Sequence, residues 1–441
     1  MDRAEDLDWL VDVLSVDTVS PLEGGDPRGF AAAQDLVEKG AAQRGFTTVA
    51  RFAPGLALLD DPLVPAVVTD AADEYGPDFL AAQPSVVLGI GDATDAHRTM
   101  VINFHLDTVG PHLPPRLDGE FLRGRGTVDD KGPGIAAMTG VARAFARRPE
   151  LREHIRVLVM SVPAEEGGAL GTYGTRFALR QAGIDAALMV VAEPTGNRFL
   201  DCSSAVMTPQ IAVSGQDSTD DHPYEGTNAT LVLGHAAVHL SRTLAPVAEE
   251  VNAKLCIAGL HTGTSHNRVY GTGSLKLNIA YYDDVARARL EAAVERAFRE
   301  LPGQFRSDLA GSAPARQVAS RYEQVVTLNW LKRGYPALAN RHPRLEGVLA
   351  AAGLERHDGA ADGSAFTCDA IWAAEHAEYV VVCGPGDLGR NGAHTDLEHV
   401  RLQDLQEYAE RMERLTLAFA EHVRSGDQRR EQNQRHGKES A

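Results

Sequence analysis

The chain has 441 residues and a hydrophobic fraction of 44%, which predicts two domains, or one domain that carries an insertion. Its net charge of -18 argues against nucleic acid or an anionic membrane as a partner. Its four cysteines have no CxxC spacing, and we find neither a secretion signal nor a run of about 18 apolar residues, so we expect a cytoplasmic protein with free thiols.

The first half of the chain alternates helical patterns with apolar runs. Apolar residues at helical spacing predict helices over residues 5–15 and 30–44, whereas residues 60–83 have no clear period. Continuous apolar runs predict buried parallel strands at 99–104, 156–162 and 186–192. This alternation is typical of an α/β sheet, in which ligands collect at the carboxyl ends of the strands.

Acidic or histidine residues follow each of these three strands. His105 and Asp107 are two residues apart and project together after the first strand, Glu165 and Glu166 follow the second, and Glu193 follows the third. A solvated turn or a helix cap would explain any one of these alone. Carboxylates that converge on one edge of a sheet repel each other unless cations lie among them, so the set predicts a metal site.

Two loops supply further candidates. Asp129 lies in GRGTVDDKG, directly before a predicted helix over 135–146, and His394 lies in GAHTDLE, after a late apolar strand. A single loop histidine is weak support for a metal site by itself. Its value here is that the acidic strand ends still lack a second nitrogen ligand.

The pattern changes from about residue 204. Strands and two long helices in a β-α-β-β-α-β-like order predict a compact α+β unit inserted into the larger domain. His235 and His239 are four apart on one helix and could hold a metal, but no third ligand is apparent, which favours a surface or interface position. The last helix is predicted over 403–423, and the polar tail from 425 is predicted to be disordered.

Five motifs in this order resemble the aminoacylase / acetylornithine deacetylase / succinyl-diaminopimelate desuccinylase / glutamate carboxypeptidase family of dinuclear metallohydrolases. The motifs are HLDTVG, GRGTVDDKG, EEG at 165–167, AEPT at 192–195 and GPG…AHTDLE at 384–398. TCDA at 367–370 is closest to the acetylornithine deacetylase branch.

The resemblance implies a zinc-peptidase-like α/β catalytic domain, with a mixed, largely parallel sheet flanked by helices. An inserted ferredoxin-like lid and dimerisation domain would complete the fold. The expected boundaries are 1–203 and 331–424 for the catalytic domain, 204–330 for the lid and 425–441 for the tail.

The resemblance also implies a role for each candidate residue. Two divalent ions, zinc by preference with manganese or cobalt as substitutes, would be held by His105, Asp129, Glu166, Glu193 and His394, with Asp129 bridging both. Asp107 would orient His105, and Glu165 would be the general base that takes a proton from a water between the ions. A non-proline cis bond is expected between Asp129 and Asp130.

The inserted unit departs from the family pattern at two positions. Thr219 stands where the family has a histidine that stabilises the oxyanion, and Tyr281 or Tyr282 stands where an arginine holds the substrate carboxylate. His222, Asn267, Arg268 and Tyr281 are therefore the candidate substrate contacts. One oxyanion donor contributes roughly 3 kcal/mol of transition-state stabilisation, so these losses bear on the substrate.

The sequence thus predicts a dinuclear metallohydrolase that cleaves a C–N bond, most simply the amide of an N-acyl amino acid or small peptide. The resemblance to this family also implies a homodimer formed through the lid. An alternative is an aminohydrolase that releases ammonia from an activated aromatic amine and needs neither lid residue. A metal-binding regulatory or scaffold protein is a third reading, against which the retention of Glu165 argues.

Overall fold

The computed structural model of the protein describes residues 4–76 and 78–439, and over 430–439 it describes only the backbone. The longer helices are α1 (Ala4–Ser15), α2 (Gly29–Ala42), α3 (Ala66–Tyr75), α4 (Lys131–Arg147), α5 (Thr175–Ala182), α6 (Ala229–Glu250), α7 (Asp284–Asp308), α8 (Pro343–Ala351) and α9 (Leu402–Glu439). Single-turn helices lie at Asp78–Ala81, Arg316–Ala319, Tyr322–Val325 and Gly359–Asp362, and 3₁₀ turns at Pro21–Glu23, Leu56–Asp60, Ala96–Arg98, Pro149–Glu153, Ala313–Ala315 and Asp369–Trp372.

Ten strands build the two main sheets. They are β1 (Thr47–Phe52), β2 (Ser85–Ile90), β3 (Thr99–His105), β4 (Arg156–Val162), β5 (Ala186–Val191), β6 (Ala205–Ser214), β7 (Lys254–His261), β8 (Thr272–Tyr281), β9 (Val326–Lys332) and β10 (Ala377–Val382). Shorter strands pair outside them, at Arg116–Asp118, Phe121–Arg123, Arg198–Phe199, Cys202–Ser203, Ser218–Thr219, Arg268–Val269, Leu338–Ala339, Glu355–Arg356 and His399–Arg401.

The chain divides into two compact units. The first contains the chain up to Ser203 and from Leu338 onward, and the second contains Ser204–Ala337. The sequence places the second boundary after residue 330, but β9 continues to Lys332, which pairs with Thr208 of β6. Strand pairing therefore keeps this segment in the inserted unit.

The first unit is built on a six-stranded mixed sheet in the order β1-β2-β4-β3-β5-β10. The pairs β4–β3, β3–β5 and β5–β10 are parallel, whereas β1–β2 and β2–β4 are antiparallel. Strands β3 and β5 are buried along their whole length, as their continuous apolar sequences predict. Because four adjacent strands are parallel, their carboxyl ends meet at one edge of the sheet.

Helices cover this sheet and share its core. Leu10 of α1, Val37 of α2, Ile135 of α4 and Leu405 of α9 lie in one fully buried cluster with Ile102 of β3. The mixed sheet flanked by helices confirms the predicted α/β fold class. Helix α9 continues to Glu439, whereas the sequence predicts its end at Val423 and a disordered tail from 425. The tail is rich in Arg, Gln, Glu and Lys, which are good helix formers and allow this extension.

The second unit has a four-stranded antiparallel sheet in the order β7-β8-β6-β9. Both of its long helices are capped by a preceding side chain: Asn228 accepts the N–H of Leu231 at the start of α6, and Asp283 accepts that of Ala286 at the start of α7. The apolar stripe of α6 packs against the sheet, as predicted. None of the described helices is long and apolar enough to cross a membrane.

Candidate metal centre

His105 ends β3 with its ring fixed on both nitrogens. Its Nδ1 lies 2.9 Å from the backbone oxygen of Asp107, and its Nε2 lies 2.9 Å from Oδ1 of Asp129 and 3.7 Å from Oε1 of Glu193. All four residues are at most 5% exposed. The Nδ1 contact orients the ring so that Nε2 points into a group of carboxylates, as expected of a metal-binding histidine.

Asp129 lies between two histidines. Its Oδ1 faces His105, and its Oδ2 lies 3.1 Å from Nε2 of His394, which in turn lies 3.1 Å from Oε1 of Glu166. The peptide bond between Asp129 and Asp130 is cis, as predicted. His394 has φ of 63°, a left-handed conformation that is uncommon outside glycine and tends to occur at functional sites.

Several side chains in this cluster have raised pKa values and bind protons tightly. Burial raises the pKa of Glu193 well above its usual range, and the neighbouring Asp129 carboxylate raises it further. Burial and the carboxylates of Glu166 and Glu193 act in the same direction on the pKa of Glu165. Hydrogen bonds to Asp129 and Glu166 raise the pKa of His394 to about 11. A site that binds protons this tightly is suited to divalent cations, which can replace them.

The described residues contain three groups of side chains that could each hold an ion. Their ligand atoms lie within 4.8 Å of one another in the groups His105–Asp129–Glu193, Asp129–Glu166–His394 and His105–Glu165–Glu166. The first two groups match the ligand sets that the resemblance implies, and they share Asp129. Mixed imidazole and carboxylate donors fit zinc, and a shared carboxylate fits two adjacent ions. The structure thus brings the predicted ligands together, and their individual roles stay predictions.

Comparison with known families shows to which family the chain belongs. Residues 101–418, more than half of the sequence, match the family described as peptidase family M20/M25/M40. The chain belongs to this family. The metallohydrolase relationship predicted from the five motifs is thereby confirmed.

Individual relatives are distant. A putative LysW-lysine/LysW-ornithine hydrolase of Aeropyrum pernix is 29% identical over 178 residues, which make up 40% of this chain and 46% of that protein. A succinyl-diaminopimelate desuccinylase of Halorhodospira halophila is 25% identical over 312 residues, covering 67% of this chain and 74% of that protein. The match thus spans less than half of the Aeropyrum protein.

Among solved structures, the aminopeptidase PepT of Bacillus cereus has a similar fold. The TM-score is 0.64 at 16% identity, and the similarity covers 95% of this chain and 98% of that one. At this identity the likeness shows the fold alone, in agreement with the family match.

Three hydrogen bonds within the M20 site were not predicted from the sequence. Besides facing His105, the carboxylate of Asp107 accepts the backbone N–H groups of Glu165, at 3.2 Å, and of Glu166, at 2.9 Å. Asp130 accepts the N–H of His105 at 3.4 Å. Asp107 therefore fixes both the histidine and the loop that carries the glutamates, a link between strands that spacing alone cannot show.

Glu398 ends the AHTDLE motif, but the sequence predicted no role for it. One of its oxygens accepts the N–H of Val128 at 3.2 Å, and the other lies 2.7 Å from the guanidinium of Arg125. Both charged side chains are 1% exposed. The pair holds the segment directly before Asp129. The sequence did single out both residues as members of motifs, because both lie within the motifs that define the site.

The glutamate loop is also supported by the segment for which the sequence showed no period. Val68 and Phe79 form an apolar cluster with Ala164 and Tyr173, and the Tyr173 hydroxyl donates to Gln83 at 3.1 Å. The helices Ala66–Tyr75 and Asp78–Ala81 therefore pack against the loop between Ala164 and Tyr173, which contains Glu165 and Glu166.

The candidate substrate contacts all lie in the second unit. His222 is exposed and pairs with Glu225 at 3.3 Å. Arg268 is exposed and pairs with Asp217, and the preceding residue, Asn267, is also exposed. Thr219 lies on a short strand paired with Arg268. None of these three candidates is fixed in the core of the unit.

Tyr281 differs from its prediction as a substrate contact. It is fully buried, and its hydroxyl donates to the backbone oxygen of Tyr335 at 2.6 Å. Tyr281 is therefore a core residue, because its position on β8 faces inward. His235 and His239 lie on α6 with parallel rings 6.4 Å apart, and His235 pairs with Asp308 at 3.0 Å. They join no metal-binding group among the described residues.

Proposed function

We propose that the protein is a hydrolase that cleaves the amide bond of an N-acyl amino acid or a small peptide with two divalent metal ions. The observation that carries the proposal is the position of Asp129 between His105 and His394, with Glu193 and Glu166 completing two ligand groups around it. The names of the two relatives, a hydrolase and a desuccinylase, support a substrate of this class. Zinc suits these donors best, with manganese or cobalt as substitutes.

Glu165 is the proposed general base. One of its carboxylate oxygens lies within 4.8 Å of a ring nitrogen of His105, and its backbone is held by Asp107. Bound divalent ions would acidify a water molecule and polarise the scissile carbonyl. Glu165 would take the proton of that water and pass it to the leaving nitrogen. Glu165 is half-buried, which removes part of its side chain from bulk water.

A release assay on the metal-reconstituted protein tests the proposal. N-acyl amino acids, dipeptides and activated aryl amines are offered separately, and free amino acid and ammonia are measured for each. We expect amino acid from the first two classes, and none from the Glu165→Gln variant purified in the same way. Release of ammonia alone would replace the proposal by the aminohydrolase alternative, and no product from any class would contradict both.

We also propose that the protein forms a homodimer through its second unit. Strand β7 is an edge strand, and on its outer side no other described strand pairs with it. Leu260 on β7 and Val238 on α6 are large apolar side chains that are 43% and 51% exposed. An open edge with apolar neighbours is a surface that a second copy can extend. Sedimentation should give twice the chain mass of 47.3 kDa, and a monomer at micromolar concentration would contradict the proposal.

A further inference from the structure

A second polar cavity lies in the first unit, at the amino ends of the parallel strands and thus at the sheet edge opposite the metal centre. Its volume is about 360 Å³, within the range of small-molecule sites. His97 lies just before β3, Glu378 lies in β10, and His342 with Arg344 begins α8. His422, Asp427 and Arg429 from α9 close the cavity.

The two acidic groups of this cavity each have a basic side chain beside them. Asp427 lies 2.8 Å from the guanidinium of Arg98 and 3.5 Å from Nε2 of His97. Glu378 lies 3.8 Å from Nε2 of His342, whose Nδ1 accepts the N–H of Leu345. Arg98 therefore offsets the charge of Asp427, whereas Glu378 has a histidine beside it.

The two arginines that line the cavity are not matched in this way. Among the described residues, Arg344 has no carboxylate or other acceptor, and Arg429 makes one bond, from Nε to the backbone oxygen of Ser425. The first turn of α8 adds the positive end of a helix dipole. With Asp427 offset by Arg98, the two arginines and Glu378 leave about one positive charge in excess, together with guanidinium donors that favour oxyanions.

The pKa of His422 responds to the same positive charges. Burial lowers the pKa of His422, and the positive groups at His342, Arg429 and Arg344 lower it further, with only Glu378 acting in the opposite direction. These residues come from α8, α9 and β10, so the positive charge converges on the cavity from separate elements and is not a feature of one helix face.

We infer that this cavity binds a divalent oxyanion, namely inorganic phosphate or the phosphate group of a small metabolite, through Arg344 and Arg429. The two guanidinium groups can each donate to a phosphate oxygen, and the volume leaves room for more than a bare phosphate. Such a ligand would connect α9 to the start of α8 at a distance from the metal centre. It would be a second ligand site, independent of the proposed hydrolysis.

Isothermal titration of the metal-loaded protein tests the inference, with inorganic phosphate and glycerol phosphate as separate probes. We expect binding to the wild type and an affinity at least about tenfold weaker in the double variant Arg344→Gln/Arg429→Gln, since each charge-assisted contact contributes that much or more. Arg424→Gln is the matched control, because Arg424 lies on α9, pairs with Glu421 and does not line the cavity. Its affinity should equal that of the wild type.

Three outcomes would overturn the inference. The first is no binding to the wild type at millimolar probe. The second is binding that persists in the double variant, which would place phosphate at the metal centre. The third is an equal loss of affinity in Arg424→Gln. The single variant Arg344→Gln, with an unchanged melting temperature, guards against misfolding of the double variant. Tighter binding of glycerol phosphate than of inorganic phosphate would identify a metabolite as the source of the oxyanion.

Discussion

Asp107 connects two parts of the candidate metal centre through its backbone and its side chain. Its backbone oxygen lies 2.9 Å from Nδ1 of His105, and its carboxylate accepts the backbone N–H groups of Glu165 and Glu166. The orientation of the histidine and the position of the proposed base are therefore set by the same residue. A functional loop fixed in this way loses little freedom when substrate binds.

Replacement of Glu165 by glutamine should separate catalysis from metal binding. Glutamine keeps the shape but cannot take a proton, so we expect the rate to fall by roughly 10²–10⁴-fold. The metal content should stay at the wild-type value, because Glu165 is outside both groups that share Asp129. Rate and metal content are measured on the same preparation. A variant with near wild-type turnover would refute the general-base role.

Replacement of Arg125 by methionine should destabilise the protein strongly. Glu398 would keep a buried carboxylate without its cation, and breaking such a pair typically costs about 3–5 kcal/mol. Arg123→Met is the matched control, because Arg123 lies two residues before Arg125 and forms a partly exposed pair with Asp118. Exposed pairs contribute about 0–1 kcal/mol. Urea unfolding measures both, and equal effects would contradict a structural role for the buried pair.

At the scale of elements, α4 and α9 pack closely through glycine. A Cβ built on Gly140 of α4 would lie 2.1 Å from the backbone oxygen of Ala409 in α9, whereas one built on Gly347 of α8 meets nothing within 4 Å. Gly140 therefore lets the backbones of the two helices approach. Gly347 has no such function.

Alanine at these two positions should have opposite effects. Gly140→Ala should lower the free energy of unfolding by about 1–3 kcal/mol, because the helices must separate to admit the methyl group. Gly347→Ala should raise it by up to about 1 kcal/mol through helix propensity alone. Denaturant titration compares the two variants. The close-packing account fails if Gly140→Ala is neutral or stabilising.

The elements that carry the site were predictable, since each is a continuous apolar run that ends in a chemical group. Strands β3 and β4 begin and end within a residue of their predicted limits, and His105 and Glu165 follow them as expected. The packing of the helices Ala66–Tyr75 and Asp78–Ala81 was not predictable, because these short helices lack a strong period and are stabilised by contacts with Tyr173 and its neighbours.

Long-range contacts were the other part that sequence could not supply. The Arg125–Glu398 pair joins residues 273 positions apart, and the inward direction of Tyr281 depends on its partner Tyr335. A motif names the residues that matter without showing which of them meet. The lid assignments at His222, Asn267 and Arg268 remain predictions for the same reason.

At the scale of the molecule, the first unit carries candidate sites at both edges of one sheet. The carboxyl edge collects carboxylates and two histidines, and the amino edge collects arginines and three histidines. An acidic chain with a net charge of -18 thus has a cavity with two arginines opposite its candidate metal centre. Cations and oxyanions would each find a complementary site in the same domain.

The central claim is that two ions, held around Asp129, make the protein a hydrolase. The most direct measurement is turnover during stepwise addition of zinc to the metal-free protein, with bound metal determined at each step. The account predicts that turnover rises with bound zinc and reaches its maximum at two ions per chain, and that Asp129→Ala binds neither ion tightly. Full turnover in the metal-free protein, or two tightly bound ions in Asp129→Ala, would contradict it.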